Sequence, residues 1–486
     1  MTHRIISLTL AFFITTGMLF SCGDTSTPAA DDTTGSSDTT SAPETEPINP
    51  LPEADFGGRD VNFYLDEYFC MLGQTEESGD VVNDAIYRRN SKVEDLYNVN
   101  FVYSATSAGS SGYSAWYSTL EASIMADDGS VDIASGYFYR LAGNAAGMDL
   151  FQNLMDMPEI DFSQDWWIGD FVKHATLGNK LYVTAGNLDP SFYNRIYTLV
   201  FNKELAASLK TDDFYELVRD GKWTFDKLKS VASVAKSDIN GDSKMDETDR
   251  WGYITGNNMS VDAFNSAFNV DYIEYDNNGY PQLLGLTEKI ADVVNGVQDF
   301  LTESGDALYI KEAYIPAPQY TAFEEGRGLI MATLMQEIQK MRGYDVDFGI
   351  IPYPKWDEKQ DNYYTNVAIG NVAGYVVPVT TDKKLAGCLL EALAYYGWMD
   401  VYPEYYDRTL TGKVARDSES GEMLDIIFKN IRYEFTQVYS YAFGDQKSTY
   451  TMMRMTLKNN QEIASQYASN EALFRSTLEK LNGTLK

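Results

Sequence analysis

Apolar and polar positions alternate at Val61, Phe63 and Leu65, the period of a half-buried strand. Val82, Ile86, Val93 and Tyr97 then share one face of a helix, and Val99, Phe101 and Tyr103 alternate again. A helix around Trp116 to Met125 leads to a third strand at Val131 to Ala134. Strand, helix, strand, helix, strand predicts an α/β fold with a parallel sheet and right-handed crossovers. In such sheets ligands collect beyond the carboxyl ends of the strands, where Ser135-Gly136-Tyr137-Phe138-Tyr139 falls. Further strands are predicted at Leu181-Tyr182-Val183, Tyr197 to Phe201, Trp251 to Ile254, Leu329 to Ala332 and Phe348 to Ile351. Helical spacing resumes from Phe225 to Ala235 and from Lys289 to Leu301. Leu385, Cys388, Leu389, Ala392, Leu393 and Tyr396 mark the clearest amphipathic helix, and Leu478, Leu481 and Leu485 a closing one. No internal repeat is visible.

The chain begins with a different pattern. An almost unbroken apolar run from Ile5 to Phe20 follows His3 and Arg4. It is shorter than the roughly 20 apolar residues of a membrane span and suits a secretory signal over residues 1–21. Leu19-Phe20-Ser21-Cys22 resembles a bacterial lipobox, with Phe20 bulkier than usual at its place. That resemblance implies cleavage before Cys22, a lipid on its thiol and a place on the extracellular face of the cell membrane. Residues 22–52 are built mainly from Ser, Thr, Asp, Gly, Ala and Pro, with no Lys or Arg and almost no large apolar side chains. They cannot bury enough surface to offset their ordering entropy, so they are expected to form a disordered tether.

The 486 residues exceed one ordinary domain, so two lobes are the default, and 44% hydrophobic residues suffice for their cores. A formal charge of −33 argues against nucleic acid as a partner and against lying on an anionic membrane face. Three cysteines are too few for a disulfide scaffold. Cys388 reads as a buried thiol on its helix, and a pairing with Cys70 stays open. Outside the signal the only histidine is His174, which leaves little for a Ser-His-Asp triad or a zinc site. No phosphate-binding loop is present, and no pair of carboxylates stands out by spacing. The chemistry points to binding rather than catalysis.

Two features carry positive chemistry. Aromatic residues make up 14% of the chain, with 35 Tyr, many beside polar loop positions. Aromatic faces pack on sugar rings while polar groups hydrogen-bond the hydroxyls. The expected ligand contacts are Tyr137, Tyr139 and Asn371 from one side, the last in the small-residue loop Gly370-Asn371-Val372-Ala373-Gly374. Asp189, Tyr193 and Arg195 are expected from the other, with Trp166 or Trp167 closing over the bound ring. Separately, Asp238, Asn240, Asp242, Lys244, Asp246 and Asp249 occupy the first, third, fifth, seventh, ninth and twelfth places of an EF-hand-type loop. Side-chain oxygens on alternate residues, with the Lys244 carbonyl, suit a structural Ca²⁺. Ser243 stands at the sixth place, where glycine is expected, and Asp249 replaces the usual Glu.

Phe201-Asn202-Lys203-Glu204-Leu205, then Gly221-Lys222-Trp223-Thr224-Phe225-Asp226, Phe348-Gly349-Ile350-Ile351-Pro352-Tyr353-Pro354-Lys355 and Met423-Leu424-Asp425-Ile426-Ile427 occur in an order that resembles a known family. It is that of the extracellular solute-binding proteins of bacterial ABC importers, specifically the carbohydrate-type (family 1), maltodextrin-binding-protein-like lipoproteins. The resemblance implies a two-lobed, Venus-flytrap fold of the second structural type, with residues 53–161 and 328–382 in lobe 1. Lobe 2 would hold 162–327 and 383–486. It further implies a monomer that takes a sugar or oligosaccharide in the cleft and delivers it to permease subunits. A surface-attached glycoside-active enzyme, or a binding protein of the same fold for a peptide or polyol, are the alternatives.

Overall fold

The computed structural model describes residues 50–147, 149–311, 317–410, 417–444 and 447–483. The signal, Cys22 and nearly all of the tether lie outside the described residues. Residues 51–486 form one compact unit, which begins with the buried side chain of Leu51.

The alternation at Val61, Phe63 and Leu65 becomes strand β1 (Arg59–Asp66), with those three side chains buried. It pairs in parallel with β2 (Val99–Thr106) on one side and β3 (Ile133–Tyr137) on the other. The intervening helix Val81–Tyr97 starts where Asp80 accepts hydrogen bonds from the Val82 and Asn83 amides, and stops at Asn98 in the left-handed region. Ala373–Val376, which we number β11, lies antiparallel on β3, so the first sheet runs β11-β3-β1-β2. Gly136 of β3 faces Trp116, and a Cβ there would come within 2.8 Å of the indole ring.

The second sheet runs β10-β4-β9-β5-β8. It is made of β4 (Tyr197–Asn202), β5 (Trp251–Gly256), β8 (Ala307–Ile310), β9 (Gly328–Leu334) and β10 (Phe348–Ile351). Every residue of β4, β5, β9 and β10 is buried, as expected of strands covered on both faces. The remaining strands, β6 (Ile273–Tyr275) and β7 (Pro281–Leu283), form a separate hairpin.

Three expectations are corrected. Leu181-Tyr182-Val183 is no strand. Its alternation finds no neighbouring strand among the described residues: the Leu181 amide donates to Asn153 Oδ1, the Leu181 carbonyl accepts from Leu154, and the flanking contacts are isolated bridges from Lys180 to Leu177 and from Thr184 to Tyr375. Four short strands, β6, β7, β8 and β11, carried too few residues to show a period. The lobe assignment changes as well, because β9 and β10 join the second sheet, not the first, and the helix Lys383–Tyr396 packs against Val81–Tyr97 of the first lobe. Strand period reports burial and not the partner, which is chosen by long-range contact. Cys70 and Cys388 are both free and buried. Among the described residues no helix is long and apolar enough to cross a membrane.

Candidate functional site

The parallel strands of the first sheet and strand β5 of the second direct their carboxyl ends to a common cavity of about 350 Å³. Tyr68 follows β1, Ser110 follows β2, Tyr137 ends β3, and Tyr139 lies in the first turn of the helix Phe138–Ala145 that follows it. Gly370 and Asn371 enter from the crossing segment before β11, and Met259 and Asp262 from the helix Met259–Ala267 after β5. The far wall, Gln437, Ser440, Tyr450, Thr451 and Arg454, comes from the C-terminal region. Larger open grooves exist elsewhere on the surface, whereas this cavity sits at the carboxyl ends of β1, β2, β3 and β5.

Local chemistry fixes the first-lobe wall. Asp66, fully buried at the end of β1, accepts hydrogen bonds from the amides of Tyr68, Ala108 and Gly109. This joins the β1 and β2 exits. Burial raises its pKa, and the three amides pull it back down. Gly109 holds a left-handed φ of 60° with the Tyr68 ring against it, a backbone glycine adopts at least cost. Tyr137 stacks on Phe69 with centroids 4.6 Å apart, and Tyr139 leans on it at 5.7 Å. The Arg140 guanidinium, over the rings of Tyr113, Tyr137 and Tyr441, braces the array from outside.

The opposite wall is polar and deeply buried. Asp262, in the first turn of its helix, is fully buried and pairs with Arg454 at 3.2 Å, itself 7% exposed. Burial pushes the Asp262 carboxyl up to about 6, and Arg454 acts against that rise. Gln437 is held by two hydrogen bonds from its Nε2, to Asn366 Oδ1 at 2.7 Å and to the Val367 carbonyl at 2.8 Å. Asn366 Nδ2 in turn donates to the Tyr450 hydroxyl. Neither oxygen of Asp262 nor Oε1 of Gln437 accepts a hydrogen bond among the described residues.

The structure brings Tyr137, Tyr139 and Asn371 to this cavity, while the other expected contacts lie outside its described lining. Asp189 is buried and accepts from the Ser191 and Met71 amides and the Tyr375 hydroxyl, tying the crossing segment to the first lobe. Tyr193 is buried against Tyr402, Tyr405 and Phe428, with its hydroxyl on Asn187. Trp166 and Trp167 direct their indole N–H groups to the two oxygens of buried Glu391, at 3.0 and 2.8 Å, and neither is among the described residues lining this cavity. Arg195 ends the turn Pro190–Arg195 and is not among the described residues lining the cavity. Asp262, Gln437, Tyr450 and Arg454 escaped the sequence reading. A buried Asp in a helical first turn was their one available signal, and it marks a cap as readily as a site.

The acidic loop is held by its own backbone. Asp238 accepts from the Gly241 and Ser243 amides, Asn240 from Asp242, Asp242 from Lys244, Asp246 from Thr248 and Asp249 from Ile239 and Asp246. Ser243 adopts the left-handed φ of 68° that glycine would take at the sixth place. Yet among the described residues no three His, Cys, Asp or Glu side chains converge as a metal-holding group. His174 is buried beside the Tyr275 hydroxyl, 3.0 Å from Nδ1, and burial lowers its pKa to about 3.

No family model matches the sequence, and no curated protein matches it. Its fold does have solved counterparts. A cyclo/maltodextrin-binding protein complexed with maltotetraose is 15% identical, with 86% of this chain and 97% of that one covered at a TM-score of 0.55. A family 1 extracellular solute-binding protein from Bifidobacterium longum subsp. infantis is 14% identical over 88% and 99%, at 0.53. An ABC transporter solute-binding protein from Thermotoga lettingae, bound with α-D-tagatose, is 11% identical over 87% and 100%, at 0.50. Two sheets that end on one cleft, and likeness along nearly the whole of those chains, give residues 51–486 the two-lobed type II fold of ABC-importer solute-binding proteins.

Proposed function

We propose that the protein captures a carbohydrate outside the cell, in the cleft between its lobes, and hands it to the permease of an ABC importer. The observation that carries this reading is the pairing of an aromatic wall at Tyr137 and Tyr139 with a buried hydrogen-bonding wall at Asp262 and Gln437. Ring faces take the C–H faces of a sugar, and buried polar groups take its hydroxyls. Two of the solved counterparts hold sugars, maltotetraose and tagatose. A glycoside hydrolase uses two carboxyl groups flanking the scissile bond, whereas Asp262 is the one carboxylate among the described lining residues.

A thermal-shift screen over mono- and oligosaccharides tests the proposal. A ligand at about 100 times its Kd stabilises the native state by about 2.7 kcal/mol and raises the Tm accordingly. Incubation with that ligand leaves it intact. Release of a shorter product would favour the glycoside-active enzyme, and a screen in which only peptides or polyols stabilise would favour the other alternative.

The same proposal places the protein on the membrane through a lipid on Cys22, with residues 22–52 as its tether. Its support is the lipobox-like Leu19-Phe20-Ser21-Cys22. The variant Cys22→Ala is expected in the soluble fraction after cell fractionation, and membrane retention equal to the parent would reject lipid anchoring.

A further inference from the structure

We infer that the cleft selects an uncharged sugar end by its hydroxyl donors, two of them read by Asp262 and one by Gln437, and discriminates against acidic sugars. The inference rests on the carbohydrate-binding reading and adds the class of sugar and the residues that choose it.

Both Asp262 oxygens and Gln437 Oε1 are buried at the cavity wall and accept no hydrogen bond among the described residues. Leaving a buried polar group unpaired is destabilising, the more so if it is charged. The Gln437 amide has no freedom to swap ends, because its Nε2 already serves Asn366 and Val367. Its oxygen is therefore fixed as an acceptor. A carboxylate ion-paired at 3.2 Å has its charge answered by Arg454 while its lone pairs stay open. The wall presents acceptors and asks for donors. Adjacent hydroxyls on a ring supply them in pairs, at the spacing of two carboxylate oxygens.

Charge then narrows the class. Asp262 and Arg454 are the charged side chains among the described lining residues, and they cancel. A uronic acid or sulfated sugar would bring a second anion toward Asp262 with no further cation among the described lining residues to meet it. Desolvating an ion without a partner is strongly unfavourable, so the acidic counterpart is disfavoured. A site built to hydrogen-bond a hydroxyl also rejects analogues that lack it, because its own groups are stranded.

The test uses the full-length protein and isothermal titration with glucose, galactose, mannose, xylose and their disaccharides. Glucuronic and galacturonic acids, and the monodeoxy forms of the tightest ligand, complete the panel. The expected result is a neutral best ligand, at least tenfold weaker binding of its uronic acid, and at least tenfold loss in one or two deoxy forms. Asp262→Asn should weaken the parent sugar at least tenfold and leave the sensitive deoxy form almost unaffected, since that form has already lost the contact. Tighter binding of the acid, or a deoxy series without a sensitive position, would overturn the inference while the carbohydrate reading stands. If no sugar of any kind binds, the reading and the inference fall together. Should Asp262→Asn not fold, the deoxy and uronic series on the unaltered protein decides.

Discussion

Arg454→Met is expected to lower folding stability by about 3–5 kcal/mol near pH 7.5, the cost of leaving a buried charge without its partner. Asp262 is fully buried, and Arg454 stands 3.2 Å away as its counter-charge. Without it the carboxyl must either stay ionised in a poor medium or take up a proton. The pH dependence separates this cause from lost packing. Burial already raises the folded-state pKa of Asp262 to about 6 from an ordinary value of 3.8, and Arg454 opposes the rise. The variant's pKa is therefore higher still. A carboxyl raised on folding binds more protons in the native state, so its ionisation destabilises as pH climbs through that range. The deficit of Arg454→Met should be largest above pH 7 and shrink as pH falls below about 6. The double variant Asp262→Leu, Arg454→Met should recover most of the loss, because no charge is then stranded. Urea denaturation at several pH values reads all three. A deficit under about 1 kcal/mol, or one that is flat with pH, would mean that the pair is not buried as described.

The other large effect lies away from the cleft. Trp223→Ala should cost about 3–5 kcal/mol, the range for removing a large aromatic side chain from a packed core. Trp223 is fully buried, crosses Phe214 edge-to-face at 5.4 Å, and donates from Nε1 to the Pro352 carbonyl at 2.9 Å. Its own amide donates to the Tyr363 hydroxyl, and its carbonyl accepts from Lys355. It thus clamps the exit of β10 to the helix Phe225–Ala235. Trp223→Phe keeps most of the ring and strands only the carbonyl, so it should lose about 1–3 kcal/mol. Far-UV circular dichroism in urea distinguishes the two. Equal losses for both variants would show that the hydrogen bond, not the cavity, carries the effect. Sugar affinity measured below the melting range should stay at the parental level, since Trp223 lies outside the cavity wall.

Much of this molecule was legible because the physics involved is local. The period-two run at Val61, Phe63 and Leu65 needs only a half-buried strand, and β1 follows. The helical spacing from Leu385 to Tyr396 needs only one covered face, and the helix Lys383–Tyr396 follows. Tyr137 and Tyr139 could be placed at a sheet edge because strand, helix, strand order forces parallel pairing, which puts carboxyl ends together. Asn371 was reached by the same route, through small residues that let the backbone approach.

Composition misled where burial decided the role. Asp189, Tyr193, Trp166 and Trp167 have the residue types of a sugar site and stand in loops, yet each spends its polar atoms inside the protein. A loop's chemistry says what a side chain can bond, and only the surrounding fold says whether a neighbour has already claimed it.

By itself, then, the sequence determined the α/β class, the parallel core of the first sheet and the aromatic edge at Tyr137 and Tyr139. Only the tertiary structure decided that β9 and β10 belong to the second sheet, since every strand offers the same backbone donors and acceptors to any partner. It alone set Asp262, Gln437 and Arg454 opposite that edge. Those residues are far apart in the chain and unremarkable in type. They become a site because packing two lobes together removes their water and leaves acceptors that a ligand must satisfy.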